Sequence, residues 1–144
     1  MLTVGVEEEY QLVSPETGEL QSRARAALEA DWSDEVQREV HQSTLEINTK
    51  ICGSAAEVRE ELERLRLQTA TAAAAEGLDI VAAGLHPTSH WRDQRLTEDS
   101  RYHRIAEEYG RIIRDKHIFG MHIHVAVPTD DDCIRLLNTV RHFT

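Results

Sequence analysis

The amino-acid sequence predicts an α+β fold built on an antiparallel sheet with one apolar and one polar face, and three stretches carry that prediction. Val4 to Leu12, Thr44 to Ile51 and Ile118 to Val127 each alternate in polarity, and successive strand residues point to opposite sides of a sheet. In the first stretch Gly5, Glu7, Glu9 and Gln11 share a side, and Val4, Val6, Tyr10 and Leu12 share the other, with Glu8 alone breaking the apolar side. In the second, Thr44, Glu46, Asn48 and Lys50 alternate with Leu45, Ile47 and Ile51. In the third, Gly120, His122, His124 and Ala126 alternate with Phe119, Met121, Ile123, Val125 and Val127. Three strands therefore offer one wet face of carboxylates and imidazoles, and the economical reading is a sheet whose back packs on a core and whose front holds a divalent metal and an anionic ligand.

The competing reading is an ordinary solvated sheet face. Against it, acids and histidines have low strand propensity, and such faces are more often filled by Thr, Lys, Arg and Gln. Neighbouring carboxylates also repel one another unless a cation lies between them.

The elements follow in order. The opening strand ends at the turn cluster Ser14-Pro15-Glu16-Thr17-Gly18, from which Glu19 to Gln21 returns as a short hairpin arm. Ser22 is placed to cap a helix over Arg23 to Ala30, and Val36 to His41 is ambiguous, with strand preferred because it leads into the second alternating stretch. After Gly53, Ser54-Ala55-Ala56-Glu57 is a capping box. Val58, Leu62, Leu65, Thr69 and Ala72 or Ala73 then recur at helical spacing, with Glu60, Glu61, Glu63, Arg64 and Arg66 turned mostly to water. Gly77 stops that helix, and Leu78 to Ala83 reads as a short buried strand. Leu85 to Leu96 shows no period and gathers His86, His90, Trp91, Arg92 and Arg95 into an irregular segment, either a ligand loop or a cap on the sheet edge. Thr97 to Gly110 is helical with Tyr102, Ile105 and Tyr109 along one side, and Pro128-Thr129 introduces a last helix with Ile134, Leu137 and Val140 on one side.

Composition narrows the function. At 144 residues the chain is one domain with room for a core. With 26 acidic against 16 basic residues and a formal charge of -10, it repels nucleic-acid backbones and anionic lipid, which excludes both as expected partners. A polyphosphate such as ATP stays compatible, because metal ions bridge carboxylates to phosphate. Cys52 and Cys133 stand far apart with no metal or redox spacing, so each is expected to be a small buried residue. Three glutamates in the first dozen residues argue against a signal peptide, no apolar run approaches a membrane span, and the expected location is cytoplasmic.

Taken together, Gly5-Val6-Glu7-Glu8-Glu9-Tyr10, Leu45-Glu46-Ile47-Asn48-Thr49, Gly84-Leu85-His86-Pro87, Arg101-Tyr102 and Gly120-Met121-His122-Ile123-His124-Val125 resemble, in order and spacing, the carboxylate-amine ligase family of type 2 glutamate-cysteine ligases. The resemblance runs from about Thr3 to the end. It implies a glutamine-synthetase-like fold, an antiparallel sheet curved into a bowl with helices on the convex face, of which residues 1–144 would be the N-terminal part of the catalytic domain. It also implies an ATP-dependent ligase that joins a carboxylate, such as that of glutamate, to an amine through an acyl phosphate, with Mg2+ or Mn2+ as the metal. Carried over residue by residue, Glu7, Glu9, Glu46 and His122 match metal or metal-phosphate ligands. Glu39, seven residues before Glu46, stands where relatives carry another acid, or is an ordinary surface glutamate. His124 is placed to touch nucleotide or metal, and Arg101 suits a substrate carboxylate or phosphate, or else a helix-surface ion pair. No single catalytic residue is assigned. Because the sequence stops at Thr144, short of where the family's proteins end, the expected state is a homo-oligomer or a complex with a complementing C-terminal polypeptide. The rival functions are a non-catalytic metal-binding or assembly module and a zinc-dependent hydrolase using His122 and His124, although the acid-rich first strand suits hard magnesium better than zinc.

Overall fold

The computed structural model describes residues 2–27, 35–110, 112 and 117–143, Ala26 by its backbone alone. Five strands form one sheet: β1 (Thr3–Val13), β2 (Val36–Arg38), β3 (Thr44–Asn48), β4 (Asp79–Val81) and β5 (Met121–Ala126). Every pairing is antiparallel. Helices α1 (Ala24–Ala27), α2 (Ala55–Ala75), α3 (Ser100–Tyr109) and α4 (Asp130–Val140) and a 3₁₀ turn at Trp91–Asp93 complete the described elements. The eleven-residue β1 is the axis of the sheet. β3 runs along one of its edges, while β4 and β5 share the other, β4 against Gln11 to Val13 and β5 against Thr3 to Glu8.

The apolar side of β1 and β3 meets α2. Val6, Tyr10 and Ile47 pack with Leu62 and Leu65, and Leu12 and Leu45 pack with Ala73 and Leu78. Each fully buried leucine of this set contributes about 1.5–3 kcal/mol by leaving water. Helix α2 begins as the capping box requires, the Glu57 N–H donating to Ser54 Oγ at 3.2 Å, while Glu57 Oε2 accepts from the Gly53 N–H. It ends two residues before Gly77, whose φ of 69° is the left-handed conformation that glycine adopts without steric cost.

Glu8 lies on the apolar side, as the alternation demands, and is buried there against Tyr10 and Arg66. Burial opposes its ionisation, but hydrogen bonds from Arg66 and Tyr10 outweigh that effect and hold its carboxyl below the usual range. Arg66 meets this acid while staying half exposed, as its place on the water-facing side of α2 predicts. Glu61 departs from the same expectation: it is buried and paired with Lys50 and Arg64.

Other differences have local causes. Ser22 does not cap α1; its hydroxyl accepts from the Arg95 N–H and meets Gln94, tying the start of the helix to the 85–96 segment. The expected continuation of α1 to Ala30 lies outside the described residues. β3 stops at Asn48, so Ile51 and Lys50 leave the alternation, and Ile51 is exposed. Cys133 is exposed rather than buried. The largest departure is β5, whose six residues are all exposed. Its register places Met121, Ile123 and Val125 opposite Glu8, Val6 and Val4, on the expected side of the sheet. Yet the core packed under α2 draws on β1, β2, β3 and β4 and, among the described residues, not on β5, so these side chains are bare.

Candidate functional site

The polar face is organised by β1. Across the β1–β3 ladder Glu9 stands opposite Glu46 and Glu7 opposite Asn48. Across the β1–β5 ladder Glu7 stands opposite His122 and Gly5 opposite His124. Glu39, in the segment that leaves β2, adds a third acid. One carboxylate oxygen from each of Glu9, Glu39 and Glu46 lies within 4.8 Å of the other two.

Hydrogen bonds aim these carboxylates. The Gly120 N–H donates to Glu9 Oε2 at 2.6 Å, the Val40 N–H to Glu39 Oε2 at 2.7 Å, and Asn48 Nδ2 to Glu46 Oε1 at 3.0 Å. Gly120 has a further reason to lack a side chain, since a Cβ there would come within 3.3 Å of His122 Nε2. Burial pushes the Glu46 carboxyl up, and the carboxylates of Glu39, Glu7 and Glu9 push it further, against the Asn48 hydrogen bond. Partly buried acids at this separation form a poor arrangement alone and a good one around a cation, and an all-oxygen donor set suits a hard cation such as Mg2+ or Mn2+.

A second grouping hangs from the next outward position on β1. Glu7 Oε2 lies 3.3 Å from His122 Nδ1 and 3.1 Å from His124 Nε2, with the two rings edge to face. The metal-ligand candidates are therefore brought onto one face in two groups, Glu9 with Glu39 and Glu46, and Glu7 with His122 and His124. Arg101 joins neither by direct contact among the described interactions. It stands at the start of α3, exposed, with its guanidinium 5.8 Å from the Tyr102 ring centre. Tyr102 itself reaches the neighbourhood: its hydroxyl donates to the Arg38 carbonyl at 3.0 Å, and burial, then the Glu39 carboxylate, push its phenol up.

Sequence reasoning missed His41 and His117. They line, with Glu9, Glu39 and Thr44, a hollow of about 40 Å³ beside the three acids. The two rings lie 4.7 Å apart, and His117 Nε2 is 3.3 Å from Ser43 Oγ. Burial, with smaller contributions from His41 and His86, lowers the His117 imidazole to about 4, so it is neutral at physiological pH. His41 sits two residues after Glu39, the one signal in the sequence that an imidazole accompanies that acid.

The geometry agrees with comparisons to known proteins. Residues 3–144 match the model of glutamate-cysteine ligase family 2. A protein of Herpetosiphon aurantiacus provisionally named glutamate–cysteine ligase 2 is 40% identical over 144 residues, covering 98% of this chain and 37% of the relative. A similarly named protein of Chloroflexus aurantiacus is 42% identical over 143 residues, covering 97% and 37%. The chain thus spans little more than a third of the length of these relatives. Among solved structures, glutamate–cysteine ligase of Francisella tularensis in complex with AMP superposes with a TM-score of 0.65 at 19% identity, covering 98% of this chain and 30% of that one, which establishes a shared fold. With a family match over almost its whole length, the chain belongs to glutamate-cysteine ligase family 2.

Proposed function

We propose that the polar face of this chain is the metal-holding wall of an ATP-dependent carboxylate–amine ligase that acts in the cytoplasm on an amino acid such as glutamate. The convergence of Glu9, Glu39 and Glu46 within 4.8 Å carries the reading, because such a cluster is stabilised by a hard divalent cation. In the reaction, a substrate carboxylate oxygen attacks the γ-phosphorus of ATP, ADP departs, and an amine then attacks the acyl phosphate and releases phosphate. Mg2+ or Mn2+ would supply charge neutralisation between polyphosphate and carboxylate. In this chain Glu9, Glu39 and Glu46 would hold one ion, and Glu7 with His122 a second. His124 shares that second group, and Arg101, exposed at the start of α3, is assigned to an anionic group of nucleotide or substrate. The AMP bound to the Francisella tularensis ligase supports a nucleotide on this fold.

The test is calorimetric titration of the metal-stripped protein with Mg2+ or Mn2+, alone and with ATP. Binding of the hard cation that ATP strengthens, and that Glu46→Gln weakens, supports the reading. Saturation by Zn2+ with no response to Mg2+, Mn2+ or ATP would transfer the assignment to zinc chemistry at His122 and His124. No response to any of these would leave an assembly module.

A further inference from the structure

A hollow of about 200 Å³ beside β2 and α1 is lined by Arg25, Arg38, Gln42, Thr97 and Glu98. The β2–β3 ladder fixes the side of the sheet on which Arg38 stands. Gln37 is opposite Glu46 on the polar face, so Arg38, opposite Leu45, is on the apolar one. Helix α1, which carries Arg25, packs Ala24 and Ala27 on that same side, in one cluster with Leu45. Backbone hydrogen bonds tie the frame of the hollow together. The Ala24 N–H donates to the Gln42 carbonyl, the Gln42 N–H to the Arg95 carbonyl and the Thr97 N–H to the Val40 carbonyl, each at 2.8 Å. Thr97 is buried, and its hydroxyl donates to the Glu39 carbonyl. Gln42 Nε2 donates to the Leu96 carbonyl at 2.9 Å, which orients the amide and leaves Oε1 as an acceptor.

Arg38 and Glu98 bring opposite charges to this hollow without pairing. Among the described residues neither the Arg38 guanidinium nor the Glu98 carboxylate makes a hydrogen bond or an ion pair. A gap between a cation and an anion is matched by a ligand that carries both charges in the reverse order. The guanidinium fork suits a carboxylate, and the Glu98 carboxylate with Gln42 Oε1 offers acceptors to an ammonium. Phosphate suits the arginines equally well, but it would stand in the same hollow as the Glu98 carboxylate and be repelled. A ligand with only a positive charge meets the same objection from Arg25 and Arg38. We infer that this hollow binds a free α-amino acid as its zwitterion, with the carboxylate on Arg38 and the ammonium on Glu98. Arg38 stands on the opposite side of the sheet from Glu46, so this is a second site, and the inference does not rest on the metal reading.

The experiment titrates the isotope-labelled chain in EDTA with L-alanine and follows the backbone amide resonances, with acetate, methylammonium and inorganic phosphate as separate probes. Saturable shifts are expected at Arg38, Gln42, Thr97 and Glu98 with L-alanine, and weaker responses to the three single-charge probes. Arg38→Gln and Glu98→Gln should each lower the affinity for L-alanine on the order of tenfold, since each removes one charge-assisted contact. Glu98→Gln should also strengthen phosphate binding, a gain that a merely damaged fold would not give. Both residues are exposed, and thermal melts of the variants that match the wild type separate a lost site from a lost fold. No saturable shift at these four residues, shifts confined to Glu9, Glu46 and His122, phosphate or acetate binding as tightly as L-alanine, or variants that bind L-alanine like the wild type would each overturn the proposal. The titration is done without metal, so its failure leaves the ligase reading standing.

Discussion

Replacing Glu46 by glutamine changes one charge and little else, because Oε1 of glutamine still accepts from Asn48 Nδ2. Two unit charges 4.8 Å apart, the outer limit for this cluster, repel by about 3.5 kcal/mol at an effective dielectric of about 20 and by about 1 kcal/mol in bulk water. For a partly exposed group the relief expected at neutral pH is about 1–2 kcal/mol, which for a chain of this size is a rise in Tm of roughly 3–6 °C in EDTA. The pH dependence gives the sign. The Glu46 carboxyl is raised above its ordinary 4.5 in the folded protein, so the folded state binds the proton more tightly than the unfolded chain, and stability falls as pH rises through that window. The gain from Glu46→Gln is therefore present at pH 7 and vanishes below pH 4.5. With saturating Mg2+ or Mn2+ the order reverses: at a concentration of about 100 Kd the wild type gains about 2.7 kcal/mol, and the variant gains much less. Melting curves in EDTA and in metal, at pH 7 and pH 4, decide the matter. A Glu46→Gln protein less stable than wild type in EDTA at pH 7 would show that the carboxylate is a structural anchor, and the repulsion argument would be refuted.

Three other outcomes are expected. Arg66→Ala leaves Glu8 buried with only Tyr10 beside it and should cost about 1–3 kcal/mol in urea unfolding, the value reduced because Arg66 is itself half exposed; a loss below about 0.5 kcal/mol would remove the pair from the account of the fold. His117→Asn should flatten the stability profile between pH 6.5 and about 4. The folded protein holds this imidazole neutral and the unfolded chain protonates it first, so wild-type stability drops across that interval by up to about 3 kcal/mol. Met121→Asp should leave the isolated chain folded, with a change within about 0.5 kcal/mol by urea titration, since its side chain is already in water; unfolding would mean that β5 is covered in solution.

The faces of β1 and β3 were legible because alternation is a covalent property of an extended backbone, and one buried side is enough to pin it. Glu7, Glu9, Glu46, His122 and His124 fall on one face for that reason. Their division into two groups was not legible, because it depends on β1 lying between β3 and β5, and alternation says nothing about strand order. His41 and His117 were hidden for another reason: both lie outside the regular strands, where no period betrays direction. The exposure of Met121, Ile123 and Val125 escaped because sidedness and burial are different properties. Alternation tells which way a side chain points, whereas a second layer of structure decides whether water reaches it.

The single intervening residue between Glu7 and Glu9 acts as a ruler. Two strand residues on the same side lie about 7 Å apart by backbone geometry alone, and each of these acids is the pivot of its own group, Glu9 with the carboxylates of Glu39 and Glu46, Glu7 with the two imidazoles. Any two ions held there have a separation tied to the pitch of β1, a strand hydrogen-bonded on both edges. Changes in the segments that carry Glu39 or His117 can alter how tightly each ion is held. Altering the distance between the ions requires a bulge or an insertion in β1 itself.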